Sequence, residues 1–387
     1  MKALFVTHSY PRFDGDSAGS FIMRLAVALR DQSVDVRVLA PAARGLAASE
    51  TIAGISVRRF RYAPRSCETL AYRGTMAADV ARSPTAQLAL ASLIGTEAIA
   101  VMRAVRTWQP DVVHAHWWFP NGLASVLANK SGAVPVVTTS HGTDLRLLRG
   151  KSFARPVARY VFQRSARVTC VSRWLAAQAA PLCRSEPTVA PMPIDVERFN
   201  PMGERDANRI VFVGRLSEQK GIRNAIVALA SMRRSIELDV VGEGPERGAL
   251  TELAAALGVS DRIVWHGQVR ADTVAALLAG ASALIAPFTD EGLGLVAAEA
   301  QLCETPPVAY ASGGITDMIQ DGVTGALVAP GDTTALATAV ERIVTDPELR
   351  ARLGRAGRTS ALETFAPAAV AATYARIYRE AMDSNAF

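Results

Sequence analysis

What most constrains this chain is a sustained alternation of short apolar runs with stretches of helical period along its 387 residues. Runs of strand character fall at 2–7, 34–40, 55–61, 111–116, 134–140 and 168–171, and again at 210–213, 262–269, 283–287 and 307–310. Helical stretches separate them; one begins at Gly19 and carries Phe21, Leu25 and Leu29 on one face. Strands joined by helices pair in parallel, because only a long crossover returns the chain to the same edge of a sheet. The pattern therefore predicts an α/β chain of doubly wound parallel sheets with ligands at the carboxyl ends of the strands. The length exceeds one ordinary core and predicts two domains of roughly 150–200 residues. A proline-punctuated stretch at 190–201, A-P-M-P-I-D-V-E-R-F-N-P, separates two alternating blocks. It predicts domains at 1–190 and 207–366 with a linker over 191–206.

Composition narrows the class. Half of the residues are apolar and a fifth charged, as in a soluble globular enzyme. The four cysteines, Cys67, Cys170, Cys183 and Cys303, show no pair spacing, which predicts reduced thiols and a cytoplasmic setting. Cys170 and Cys303 lie in apolar patterns and read as core. The apolar start at residues 3–6 is too short for a signal peptide, and no run approaches the roughly 18 apolar residues of a membrane span. The first 190 residues hold 24 Lys and Arg against 11 Asp and Glu, and the remainder 18 against 25. A basic half joined to an acidic half speaks of partners, not of fold.

The densest chemical signal lies at 286–332. An apolar run ends in a polar loop, two glycines bracket Leu293, and an alanine-rich helix pattern begins. A second run at 307–310 leads into Gly313-Gly314 and another helix start. Each is a strand, a glycine turn and a helix N-terminus, where free N–H groups and the helix dipole favour an anion. Two carboxylates, Glu291 and Glu299, stand in the loop and the helix.

The motif E-G-L-G-L-x-x-x-E-A, followed by P-V-A, G-G and D-G-x-T-G-x-L-V, resembles the donor-binding signature of the retaining GT-B glycosyltransferases of family 4, and the similarity runs along essentially the whole chain. Two positions depart from it: Glu304 stands where a glycine is usual and Asp317 where a glutamate is usual. Both read as tuning of packing. The resemblance implies two Rossmann-like domains facing across a cleft, donor in the C-terminal half and acceptor in the N-terminal half. The final helix, about 367–387, would cross back onto the first domain with Tyr374 and Tyr378 on its packing side.

The resemblance also implies transfer of a hexosyl unit from a UDP- or GDP-linked sugar, with retention, without metal or other cofactor. The acceptor would be a glycan or lipid-linked sugar precursor or, as the alternative, a small soluble molecule; no nucleic-acid partner is implied. Glu291 would bind sugar hydroxyls near the reacting carbon and Glu299 the ribose. Backbone N–H groups around Gly292, Leu293, Gly294 and Leu295, with Gly214, Arg215 and Lys220, would hold the diphosphate. The glycine loop at 8–20, with Gly15 and Gly19, would approach the donor from the other domain. The base would lie at the strand end near Val269, and His141, in S-H-G-T-D, would contact the sugar. The clamp has a plain physical need, because the leaving diphosphate gains negative charge as the glycosidic bond breaks. Arginine supplies a planar fork of donors and lysine a point charge.

Other features leave alternatives open. His114-x-His116 places two imidazoles on one strand face, with Asp144 as a third metal ligand; the competing reading is hydrogen-bonded histidines at strand ends, for His8 and His114 above all. From 146 to 167 seven basic residues, Arg146, Arg149, Lys151, Arg155, Arg159, Arg164 and Arg167, interleave with Phe153, Val157, Tyr160, Val161 and Phe162. Such a segment lies either on the inner face of an anionic membrane or in solvent. The glycines at 242–248 miss the dinucleotide spacing and read as an ordinary strand–helix turn. Sugar-nucleotide epimerases and phosphorylases share the implied fold, as would a non-catalytic sugar-nucleotide sensor, and the sequence names neither sugar, base nor acceptor.

Overall fold

The computed structural model describes residues 1–13, 15, 16, 18–72, 76–129, 132–150, 154–233 and 235–385. Asp14 and Ser17 of the glycine loop, and Lys151 and Phe153 of the basic segment, lie outside the described residues. The chain forms two compact units, Met1–Pro193 with Pro367–Phe387, and Ile194–Ala366.

The first unit is built on eight strands: β1 Lys2–Val6, β2 Asp35–Pro41, β3 Ser49–Ile52, β4 Ile55–Phe60, β5 Val112–His116, β6 Val136–Ser140, β7 Arg167–Cys170 and β8 Thr188–Val189. Their order is β3-β4-β2-β1-β5-β6-β7-β8, parallel except for the β3–β4 pair. Strand β1 is buried from Ala3 to Val6 because helices cover both faces of a parallel sheet. Its partners are β2 and β5, so the winding reverses direction there and opens a crevice beyond their carboxyl ends. His8 follows β1 and Trp117 follows β5. The helix Pro367–Asn385 belongs to this unit, with Tyr374 and Tyr378 fully buried.

The helix Pro84–Trp108 adds to the sequence expectation on membrane spans. Ser83 caps it by accepting from the Ala86 N–H, Pro84 begins it, and left-handed Gln109 ends it. Its mean hydropathy reaches 1.7, and among the described residues it is the one helix apolar and long enough to cross a membrane, by length and composition. The sequence hid it because small residues and Glu97 interrupt any continuous apolar run. Its inner stripe, Leu93, Glu97, Val101 and Trp108, is buried in the unit.

The basic segment divides into the helices Thr143–Gly150 and Ala154–Arg164. Val161 and Phe162 point into the core, Arg155 and Arg159 are exposed, and Arg164 stacks 4.2 Å over Tyr160. The core thus takes most of the apolar side of the second helix and leaves its arginines in solvent.

The second unit holds β9 Arg209–Val213, β10 Glu237–Val241, β11 Ile263–Gly267, β12 Ala283–Ala286, β13 Pro307–Tyr310 and β14 Ala326–Val328. All pair in parallel in the order β11-β10-β9-β12-β13-β14, and the winding reverses between β9 and β12. Glu304 explains its own departure from the family pattern. Its φ of 56° is left-handed, where glycine is at ease and a side chain costs about 1–2 kcal/mol. Arg205 and the close approach of Gly354 to the Glu304 carbonyl hold it there.

Candidate active site

In the second unit the loops after β9, β12 and β13 converge. Gly214 closes β9, and its N–H donates to the Val241 carbonyl at 2.9 Å. A Cβ on Gly242 would sit 2.0 Å from the Gly214 carbonyl oxygen, and one on Gly244 2.2 Å from that of Leu216. The glycine turn after β10 is therefore the seat of the Arg215 loop, a role that its sequence did not reveal. Arg215 itself is exposed and has no ion pair among the described residues.

Lys220 ends a short turn before the helix Ile222–Ser231. Gly221 is left-handed at φ 62°, and a Cβ there would lie 2.0 Å from the Pro287 carbonyl oxygen, so the β9 and β12 loops touch backbone to backbone. Lys220 Nζ donates to Glu291 Oε2 at 2.8 Å and lies 4.2 Å over the Phe288 ring. Glu291 is pinned by its main chain: its carbonyl accepts from Gly314 N–H at 2.7 Å, and only a glycine fits at position 313, where a Cβ would fall 2.5 Å from that oxygen.

Gly292, Leu293 and Gly294 are buried, and Gly294, at φ 82°, opens the helix Leu295–Leu302. The first-turn N–H groups of that helix and the positive end of its dipole, beside Glu291, can receive an anion. Glu299 lies within the helix and is half-buried. The expected strand at 262–269 is shorter: Arg262 is buried, with its guanidinium on the Ile236 and Arg233 carbonyls, and β11 ends at Gly267. Val269 falls two residues beyond it, in the loop.

In the first unit, the histidines gather at the crevice beyond β1 and β5. Both nitrogens of His114 are engaged, Nδ1 with Tyr378 OH at 2.7 Å and Nε2 with Thr139 Oγ1 at 2.6 Å. His116 Nδ1 faces His141 Nε2 at 3.2 Å, so one ring donates and the other accepts. Asn121 donates to His8 Nδ1 at 2.9 Å and to the His116 carbonyl. His141 lies between Phe21 and Trp117, with ring centroids at 5.2 and 4.6 Å. Burial lowers the pKa of His8 to about 4 and that of His114 to about 3. His116 and His141 are held well below the usual value by burial and by their histidine neighbours. The cluster is neutral at physiological pH.

Asp144 does not join His114 and His116 as a ligand set. Its carboxylate accepts from the backbone N–H groups of Trp118, His141 and Gly142 at 3.0, 3.2 and 3.0 Å, and so shapes the turn that presents His141. No group of three such side chains able to hold an ion occurs among the described residues. Gly19 is left-handed, and a Cβ on it would come 2.2 Å from the Ser9 carbonyl oxygen, which ties the glycine loop to the start of the helix Ser20–Asp31. Sequence reasoning missed Asn121 and Trp117. Trp117 holds φ 69°, fixed by hydrogen bonds to Thr139 O at 2.7 Å and Thr143 Oγ1 at 3.1 Å. Nothing in the residue type signals that conformation.

Beside His8, a cavity of about 710 Å³ opens within this unit, lined by Leu70, Met76, Val80, Leu90, Leu123 and Val157 among others. Arg12 and Asp16, paired at 2.6 Å, also line it. A second cavity, about 840 Å³ between 42–48 and Arg59, Arg61 and Arg65, shares none of the histidines.

Known proteins resemble this chain in sequence and in fold. Residues 195–360 match the family model of glycosyl transferases group 1, and residues 18–198 that of glycosyltransferase family 4. The D-inositol 3-phosphate glycosyltransferase of Frankia alni is 32% identical over 327 residues, covering 74% of this chain and 79% of that protein. Sucrose-phosphate synthase from Thermosynechococcus elongatus superposes with a TM-score of 0.82 at 21% identity over 99% of each chain. HepE of Anabaena, solved with UDP-glucose, superposes at 0.73 and 19% identity over 97% of this chain and 99% of its own. The chain belongs to the family 4, group 1 glycosyltransferases and is a glycosyltransferase of the GT-B fold.

Proposed function

We propose that the chain transfers a hexosyl unit from a UDP- or GDP-linked sugar to a glycan or lipid-linked acceptor, with retention of anomeric configuration. The observation that carries this reading is the convergence in the second unit of Arg215, the Lys220–Glu291 pair and the helix start at Leu295. In transfer, the bond from the anomeric carbon to the diphosphate oxygen breaks and the diphosphate leaves with the electron pair. The acceptor hydroxyl oxygen bonds the same carbon and its proton passes to the departing diphosphate oxygen. Arg215, Lys220 and the first-turn N–H groups meet the charge that develops on the leaving group, so the reading needs no metal or other cofactor. Glu291 hydrogen-bonds the sugar near the reacting carbon, and Glu299 the ribose. His141, neutral and tethered to His116, can donate to or accept from a sugar hydroxyl. The cavity beside His8, with its largely apolar lining, suits an acceptor with an apolar body.

A thermal-shift panel of UDP, GDP, ADP and their sugars tests the donor site, because ligands that bind the folded state raise its melting point. No shift with any of them sinks the reading. Turnover of the stabilising donor, with NMR of the product anomer, tests retention. Conversion of donor without any acceptor would assign an epimerase instead. Activity should persist in chelator; loss restored by zinc or manganese would overturn the metal-free mechanism.

A further inference from the structure

The helix Pro84–Trp108 turns an uncharged face outward. Between Arg82 and Arg103 the only charged side chain is Glu97, and it is buried in the inner stripe. The outer face runs through Leu88, Ala91, Ser92, Gly95 and Ile99, all exposed. Leu88 is 73% and Ile99 45% exposed, among the few large apolar side chains left in solvent. A surface helix in water ordinarily carries its charges on this side. Here, about 27 Å of helix, 18 residues at about 1.5 Å each, offers none.

Positive charge surrounds that face. Arg82 precedes the helix, and Arg103 and Arg106 close it, all three exposed. Ser92 Oγ donates to the Tyr62 carbonyl at 2.6 Å, which lays the segment carrying exposed Arg61 and Arg65 along the middle of the helix. Arg61 is balanced by Glu68 at 3.6 Å; Arg65 has no ion pair among the described residues. Leu90 of the same helix lines the 710 Å³ cavity, together with Val157 from the helix that exposes Arg155 and Arg159. An uncharged face framed by arginines is complementary to one kind of surface, an apolar layer beneath anionic headgroups.

We propose that the helix Pro84–Trp108 lies in the headgroup region of an anionic leaflet, with Leu88 and Ile99 toward the acyl chains and the arginines on the phosphates. For its purpose this rests on the reading of the first unit as the acceptor side, since it would bring the cavity next to a membrane-borne acceptor. The docking itself involves no donor.

Sedimentation with vesicles of phosphatidylcholine, with and without phosphatidylglycerol, tests the proposal on the full chain. Binding should appear with phosphatidylglycerol and fall as salt rises. Arg103→Ala/Arg106→Ala should weaken it about thirtyfold, the equivalent of about 1 kcal/mol for each arginine. Leu88→Glu/Ile99→Glu should abolish it. Both variants alter exposed side chains, so their melting points and nucleotide thermal shifts should match the parent. That keeps a failure of docking distinct from a failure of the donor site. Absence of vesicle binding under every condition would overturn the proposal, as would binding unaffected by Leu88→Glu/Ile99→Glu. So would a dimer in analytical ultracentrifugation that these substitutions dissociate, because the face would then belong to a second copy.

Discussion

Lys220 and Glu291, 71 residues apart in the chain, form an ion pair at 2.8 Å in the second unit. Neither side chain reaches the other from its own loop alone: Gly221 lets the β9 loop meet Pro287, and Gly313 lets the β13 turn meet Glu291. The lysine expected at the diphosphate and the glutamate expected at the sugar thus hold one another in place.

Removing the clamp should separate binding from folding. Arg215→Ala should raise the Kd for nucleotide by a charge-assisted contact, about 1.5–3 kcal/mol, while the melting point stays close to that of the parent because the side chain is exposed. Lys220→Ala should weaken binding similarly and also lower stability, because it leaves a half-buried Glu291 unpaired. Titration calorimetry with UDP and GDP, beside thermal melts, measures both. Parental affinity in Arg215→Ala would remove it from the clamp.

The two glutamates should split kinetically. Glu291→Gln should lower kcat with little change in nucleotide affinity, and Glu299→Gln should weaken nucleotide binding more than it slows turnover. Steady-state kinetics with donor varied, together with direct UDP titration, tells the two apart. Equal nucleotide affinity in Glu299→Gln and the parent would end its ribose assignment.

Acid should destabilise the first unit through its histidines. His8 and His114 titrate at about 4 and about 3 when folded, against 6.5 when unfolded. Between those values the unfolded chain binds more protons, so stability is present above about pH 6.5 and is lost as pH falls toward 4. Each histidine contributes a slope of up to about 1.4 kcal/mol per pH unit. Urea unfolding from pH 7 to 4.5 should show this slope, reduced by about one proton in His114→Gln. An identical slope in that variant would mean that His114 is not buried neutral.

Glu97 should act in the opposite direction. Its carboxyl is fully buried, neither oxygen has a hydrogen-bond partner among the described residues, and burial raises its pKa to about 8. The folded chain keeps this proton while the unfolded chain releases it above about pH 4.5, so stability falls as pH rises toward 8. Glu97→Gln should therefore gain on the parent as pH is raised from 5.5 to 8.5. A gain that does not grow with pH would contradict a buried carboxyl.

Glu304→Gly should stabilise slightly. Relief of a left-handed side chain, about 1–2 kcal/mol, outweighs the added freedom of glycine in the unfolded chain, about 0.4–1 kcal/mol. Glu304→Val should lose stability, because a β-branched residue fits φ 56° worse still. Chemical denaturation of the three proteins ranks them; a valine variant as stable as the parent would argue that the site carries no strain.

The sequence alone determined the parallel sheets and the positions of the two glycine turns in the second unit. A period of two or 3.6 residues, and a left-handed φ that only glycine meets cheaply, are local demands written in neighbouring residues. It also placed Arg215, Lys220 and Glu291 in the loops beyond strand ends, where loops carry chemistry, and Glu299 within the helix that follows. Tertiary structure alone decided their company. His114 finds Tyr378 264 residues away, and Gly242 and Gly244 support the Arg215 loop rather than a nucleotide of their own. It decided, too, that the apolar side of Ala154–Arg164 faces the core while Pro84–Trp108 turns an uncharged face to solvent. Periodicity shows that a helix has an apolar side; only strand order and the packing of neighbours determine which side is covered.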